Sequence, residues 1–189
     1  MKPPPVAGAP GTETVDSAAN EGRAGPEVDV VIAPDNAWRT LPQAEQVVRR
    51  AIAAAAAAHP GSLAGTEVAV LLCDDAAIAD LNGRWRGMAK PTNVLSFPAP
   101  DLTLGGLDSA DAVPLGDIAI AAQTLAREAA ASGKTVADHL SHLAVHGFLH
   151  LLGHDHEIDE EAEAMEQLER DILARIGVAD PHAVEDVDI

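Results

Sequence analysis

The spacing of apolar and polar residues divides the chain into an unpatterned start and a patterned body. Residues 1–27 are rich in Pro, Gly, Ala, Thr and Glu and have no hydrophobic period, so a disordered tail is expected there. Val28 to Ile32 then reads as a first strand, stopped by Pro34, Asp35 and Asn36. Leu41 to Ala58 has a helical pattern, with Pro42 in its first turn and Pro60-Gly61 closing it. Val68 to Cys73 is a continuous apolar run of strand length, the pattern of a strand buried on both faces. Asp74 or Asp75 can cap a helix running to about Arg84. Thr92 to Phe97 predicts a third strand, residues 101–113 a Gly- and Asp-rich loop, and Leu115 to Ala121 a fourth strand alternating around Asp117.

Helices are expected at about Gln123 to Ser132, Thr135 to Leu152 and Glu157 to Ile176. Strands come early and helices late. The predicted fold is α+β, a small mixed four-stranded sheet covered by about five helices. The domain is placed at residues 28–176, with 177–189 as a C-terminal tail. In the last helix Met165, Leu168, Ile172 and Leu173 are expected to turn inward. Glu160, Glu161, Glu163, Glu166 and Glu169 read as a solvated face, with a basic ribosomal protein as an alternative contact.

Composition narrows the class. A chain of 189 residues with 47% apolar content can bury one core, and no apolar run approaches the ~20 residues of a membrane span. The one cysteine, Cys73, lies in an apolar strand and cannot form an internal disulfide, and the start of the chain has no apolar signal segment; a cytoplasmic protein is expected. The formal net charge of −18 argues against a general nucleic-acid binder, since such affinity comes from neutralising phosphates. Thirteen of the thirty acidic residues follow His154, which leaves room for a small basic site elsewhere.

Six of the eight histidines fall between His139 and His156, in the run HLSHLAVHGFLHLLGHDH. His146 and His150 are one helical turn apart on one face and can hold a single ion. Gly153 suits a helix C-terminus, and a chain reversing there can return His156 to the same ion. His142 lies ~12 Å along the helix from His150, too far for both to bind one zinc, and His154 is a weaker rival to His156. His139 and His142 are read as packing or hydrogen-bonding neighbours. Three imidazoles favour zinc, one ion per chain, at the C-terminal end of a core helix. With three protein ligands the fourth position stays open, as catalysis requires. The spacing is that of metzincin peptidases, H-E-x-x-H-x-x-G-x-x-H, but Gly147 stands where their glutamate base would be, so peptidase is kept only as a runner-up.

The run HLAVHGFLHLLGHDH resembles the signature of the YbeY family. Leu81 to Gly87 (LNGRWRG), Lys90 to Pro98 (KPTNVLSFP) and Leu115 to Ile118 (LGDI) agree with it and follow in the family's order, over roughly residues 28–176. The resemblance implies a single-strand-specific, metal-dependent endoribonuclease acting in 3′-end maturation of small-subunit ribosomal RNA and in ribosome quality control. It implies His146, His150 and His156 as metal ligands and Arg86 as the functional arginine. Arg86 suits that role because a guanidinium matches the charge building on a phosphodiester. Arg84 and Lys90 extend a local basic cluster and are candidate substrate contacts. Single-stranded RNA is the expected partner, small-subunit ribosomal proteins a further one. Thr92, Asn93 and Ser96 either line a substrate groove or satisfy backbone groups at a strand start. Trp85 is read as core, with base stacking the alternative. Asp117 is read as an exposed strand residue, with a hydrogen-bond acceptor behind the metal site as the alternative. A non-catalytic ribosome-assembly factor with a structural metal is the competing class.

Overall fold

The computed structural model describes residues 25–34, 37–100, 112–154 and 158–183. Nine elements follow in order: β1 (Glu27–Ile32), α1 (Ala44–Ala58), β2 (Thr66–Cys73), α2 (Asp75–Arg86), β3 (Val94–Pro98), β4 (Val113–Ala121), α3 (Ala122–Ala131), α4 (Val136–Leu151) and α5 (Asp159–Arg175). The four strands form one mixed sheet in the order β1-β2-β4-β3. β1 and β4 flank β2 in parallel, and β3 runs antiparallel to β4. This is the α+β arrangement that the hydrophobic pattern predicts, with four strands and five helices.

The β2 run is buried on both sides, as its unbroken apolar character requires. Val68, Val70 and Leu72 join Ile118 and Ile120 against α1, α4 and α5, while Leu71 and Cys73 pack on the other side with Ile78, Leu95 and Ala119. On α1 the alanines Ala51, Ala55 and Ala56 are buried, so the poly-alanine run lets α4 approach closely. Leu140, Leu143, Ala144, Phe148 and Leu149 fix α4 in the core from one side. Phe148 and Leu149 are both fully buried. The remaining stripe of α4 carries His142, His146 and His150.

The loop expected over 101–113 falls mostly outside the described residues, and so does all of the expected N-terminal tail up to residue 24. Two side chains depart from the sequence reading. Trp85 is 71% exposed, its ring 5.8 Å from that of Phe97, because it sits on the outward face of the last turn of α2. Glu169 is not on the solvated face of α5; it is 1% exposed and points at the histidines of α4.

Candidate metal centre and groove

Two helix ends and one strand shape the site. The end of α2 is set by Gly87, whose φ of +70° is a left-handed conformation that glycine adopts without a Cβ penalty, and this makes Arg86 the last helical residue. The end of α4 is a double hydrogen-bonded cap: the N–H of Gly153, at φ +86°, donates to His150 O, and the N–H of His154 donates to Leu149 O. β3 is stitched to α4 by Ser96 Oγ, which donates to Gly147 O at 3.1 Å. Between them lies an open groove of about 620 Å³, lined by Arg86, Thr92, Asn93, Ser96, His146, His150 and His154 among others.

His146 and His150 meet with their Nε2 atoms 3.1 Å apart. Their other ring nitrogens are both engaged. His146 Nδ1 lies 2.7 Å from Glu169 Oε1, and His150 Nδ1 lies 2.9 Å from the carbonyl of His154. Each of those partners is an acceptor, so each Nδ1 carries the ring proton. The two Nε2 lone pairs then face one another. That arrangement calls for a cation between them, and two nitrogens bound to one tetrahedral zinc at ~2.0–2.1 Å would stand ~3.3 Å apart. The pair fits a metal ion. His156, the third expected ligand, lies outside the described residues.

Glu169 organises the rest of the cluster. Its Oε1 accepts from His146, and its Oε2 lies 3.1 Å from His142 Nε2 and 2.6 Å from His182 Nε2. Burial pushes this carboxyl up, but hydrogen bonds from His142 and His146 outweigh it and hold the group far below the ordinary carboxylate range. His139 turns away to Glu128 Oε2 at 2.9 Å, and burial lowers its pKa from the ordinary histidine value against the opposing pull of Glu128. Thus His142 and His139 each hydrogen-bond to a carboxylate rather than to the His146–His150 pair.

The remaining sequence candidates separate. Arg86 lines the groove and is the only lysine or arginine among the described residues that do. Arg84 is 70% exposed and pairs with Asp80 at 2.7 Å, one turn back on α2. Lys90 is exposed, and its carbonyl accepts from Asn82 Nδ2 at 2.9 Å. Neither borders the groove. Asn93 satisfies a strand start, its Oδ1 accepting from Val94 N and its Nδ2 donating to Glu128, while it also lines the groove with Thr92 and Ser96. Asp117 is exposed.

Sequence reasoning missed Glu169 and His182. Glu169 was legible in principle. Met165, Leu168, Glu169, Ile172 and Leu173 follow the i, i+3, i+4, i+7, i+8 pattern of a buried stripe, and a carboxylate inside such a stripe needs a partner. No local signal marks His182, which follows Glu169 by thirteen residues.

The fold and groove define a compact α+β domain with a paired-histidine centre at the end of its core helix. A family model for Endoribonuclease YbeY matches residues 29–177, and the chain belongs to that family. An Endoribonuclease YbeY of Rhodopseudomonas palustris (strain BisB18) is 57% identical over 163 residues, covering 85% of this chain and 95% of the relative. One from Bradyrhizobium sp. is 54% identical over 160 residues, covering 84% and 93%. A solution structure of TM1509 from Thermotoga maritima aligns at a TM-score of 0.43 with 22% identity, covering 83% of this chain and 99% of that one.

Proposed function

We propose that this chain is a zinc-dependent, single-strand-specific endoribonuclease that acts on small-subunit ribosomal RNA at its 3′ end and in ribosome quality control. The observation that carries the reading is the Nε2 pair of His146 and His150, 3.1 Å apart, in a groove that Arg86 also lines. His146, His150 and His156 would hold the ion. Its chemistry when bound is Lewis-acid activation of water and of a phosphodiester. Glu169 and the His154 carbonyl accept from Nδ1 of His146 and His150, which would turn the Nε2 of each ring toward the ion. Arg86 offers two parallel N–H donors to the phosphoryl oxygens as negative charge grows on them. Thr92 and Ser96 give the groove wall hydroxyls suited to sugar and phosphate contacts. Names of relatives support RNA as the substrate class; the ribosomal role rests on the family resemblance.

The test joins elemental analysis to cleavage of single-stranded RNA, on the unmutated chain, His150→Ala and Arg86→Ala. The expected result is bound zinc and cleavage in the first and neither in His150→Ala. In Arg86→Ala metal is retained and cleavage falls by about 10²–10³-fold. Zinc with no RNA cleavage would favour the second reading, an assembly factor whose metal holds the fold. The net charge of −18 is the observation that keeps this reading alive.

A further inference from the structure

We propose that His142, Glu169 and His182 form a second divalent-cation site, separate from the pair formed by His146 and His150 and joined to it through Glu169. The site takes zinc or a similar ion that accepts imidazole and carboxylate together, such as cobalt or nickel.

The three ligand atoms lie within 4.8 Å of one another. They come from three parts of the fold: α4, α5 and the segment after α5. His142 Nε2 is 3.1 Å from Glu169 Oε2, and His182 Nε2 is 2.6 Å from the same oxygen. A tetrahedral ion with bonds of ~2.0–2.1 Å holds its ligands ~3.3 Å apart, so each of the two histidine nitrogens must move from Glu169 Oε2 by only a fraction of an ångström. The side chain of Glu169 is buried, so its carboxylate enters the site already stripped of water.

His182 is placed by the fold. Gly177, at φ +73°, turns the chain at the end of α5, and Val178 N donates back to Leu173 O. Lys134 Nζ donates to Pro181 O, and Asp180 pairs with Arg170 at 3.5 Å. His182 N is bonded to Asp180 Oδ1. The other ring nitrogen, His182 Nδ1, lies 4.0 Å from Glu166 Oε1, beyond hydrogen-bond reach but close enough for that carboxylate's charge to favour a proton on Nδ1.

The two sites differ in strength for a structural reason. Both ligating histidines of the first pair have acceptors for their Nδ1 protons. His142 Nδ1 is buried and has no hydrogen-bond partner among the described residues. When His142 Nε2 ligates, its ring proton must sit on that nitrogen with nothing to receive it. The second ion therefore binds about 10–100-fold more weakly than the first, the scale set by the loss of one such supporting contact.

The test is a titration of the metal-stripped full chain with zinc, followed by native mass spectrometry and chelator competition. It is repeated with cobalt followed by visible absorption. The unmutated chain is expected to take two ions in sequence. His182→Ala should take one, with the tight step unchanged and the thermal melt showing an intact fold. His182→Cys should regain the second ion and show a thiolate-to-cobalt charge-transfer band. A single ion bound by the unmutated chain in excess zinc would overturn the proposal, and so would two ions retained by His182→Ala or a His182→Cys chain without the thiolate band. His150→Ala separates this proposal from the function proposed above: loss of the tight step alone is expected, and if that variant kept the tight ion the first centre would be wrong while the second site still stood or fell on His182.

Discussion

Gly147 occupies the position at which a peptidase of the same histidine spacing carries its glutamate, and the reason for glycine is steric. A Cβ there would lie 3.0 Å from Ile118 Cγ2 and 3.1 Å from Ser96 Oγ, so this face of α4 is pressed against β3 and β4. Inserting a charged side chain would both overpack the contact and bury a carboxylate without a partner. Gly147→Glu is therefore expected to destabilise the fold by about 3 kcal/mol or more, measured by urea denaturation, and to give no peptide cleavage. A soluble, stable Gly147→Glu chain that cleaved peptides would show that the helix can rotate out of this contact. Glu169 invites the opposite experiment, a change that keeps volume. Glu169→Gln retains the shape but places an amide opposite N–H donors. It should lower affinity for the tight ion by about 10–100-fold in chelator competition, by freeing the ring of His146. Unchanged affinity would mean that helix packing alone orients His146. The histidine pair is readable from its spacing, whereas its carboxylate is masked by the residues around it. Acidic neighbours at Glu160, Glu161, Glu163 and Glu166 hid Glu169 in a run that looked uniformly solvated.

At the scale of elements, most strands and helices follow from period alone, and their ends shift by up to three residues; N-cap side chains hold the starts of α2 and α4, while α1, α3 and α5 begin without one. α2 and α3 show how such caps act between helices. Asp75, in the first turn of α2, accepts from Thr124 N and Thr124 Oγ1 at the start of α3 and from Arg127 Nη1, while Gln123 Oε1 of α3 accepts from Asp75 N. Each helix thereby satisfies a free N–H at the start of the other. No periodicity in the sequence announces this, because the partners are nearly fifty residues apart. Burial pushes the Asp75 carboxyl up, yet the bonds from Arg127 and Thr124 win and hold it below the ordinary value of 3.8. A carboxyl whose pKa is depressed on folding stabilises the fold at pH above its unfolded value, and that contribution disappears as pH falls through the lower folded value. Asp75→Asn should cost about 1 kcal/mol at neutral pH, a cap-sized effect, since Arg127 is too exposed to add much. The gap between the two proteins in denaturation should close below pH 3.8. A gap that persisted undiminished in acid would mean that the shape of Asp75, not its charge, joins the helices. The strand order was likewise beyond the pattern: alternation shows that β3 is half-buried, but only contact with α4 places it at the edge beside β4.

For the whole molecule the decisive quantity is charge. A chain of net charge −18 must bring a polyanion into a groove whose described lining holds one cationic side chain, Arg86. Contacts to phosphate give a salt dependence of roughly −0.7 in log–log slope per neutralised phosphate on single strands, so a single arginine predicts a slope near −1 or shallower. The long-range field acts with the opposite sign. At ~0.01 M salt the screening length is ~30 Å and the acidic surface repels RNA across the whole approach; at ~0.15 M it is ~8 Å and the repulsion is confined to close range. The two effects oppose each other, and with so little positive charge at the groove the repulsion dominates at low salt. Second-order cleavage rates on a short unstructured RNA should therefore stay flat or rise as salt increases from ~0.01 to ~0.15 M, where a basic nuclease would slow steeply. Adding a basic partner protein should reverse the trend by supplying the missing phosphate contacts. A steep fall with salt in the isolated chain would show instead that it presents a basic RNA-binding surface of its own, strong enough to override its acidity.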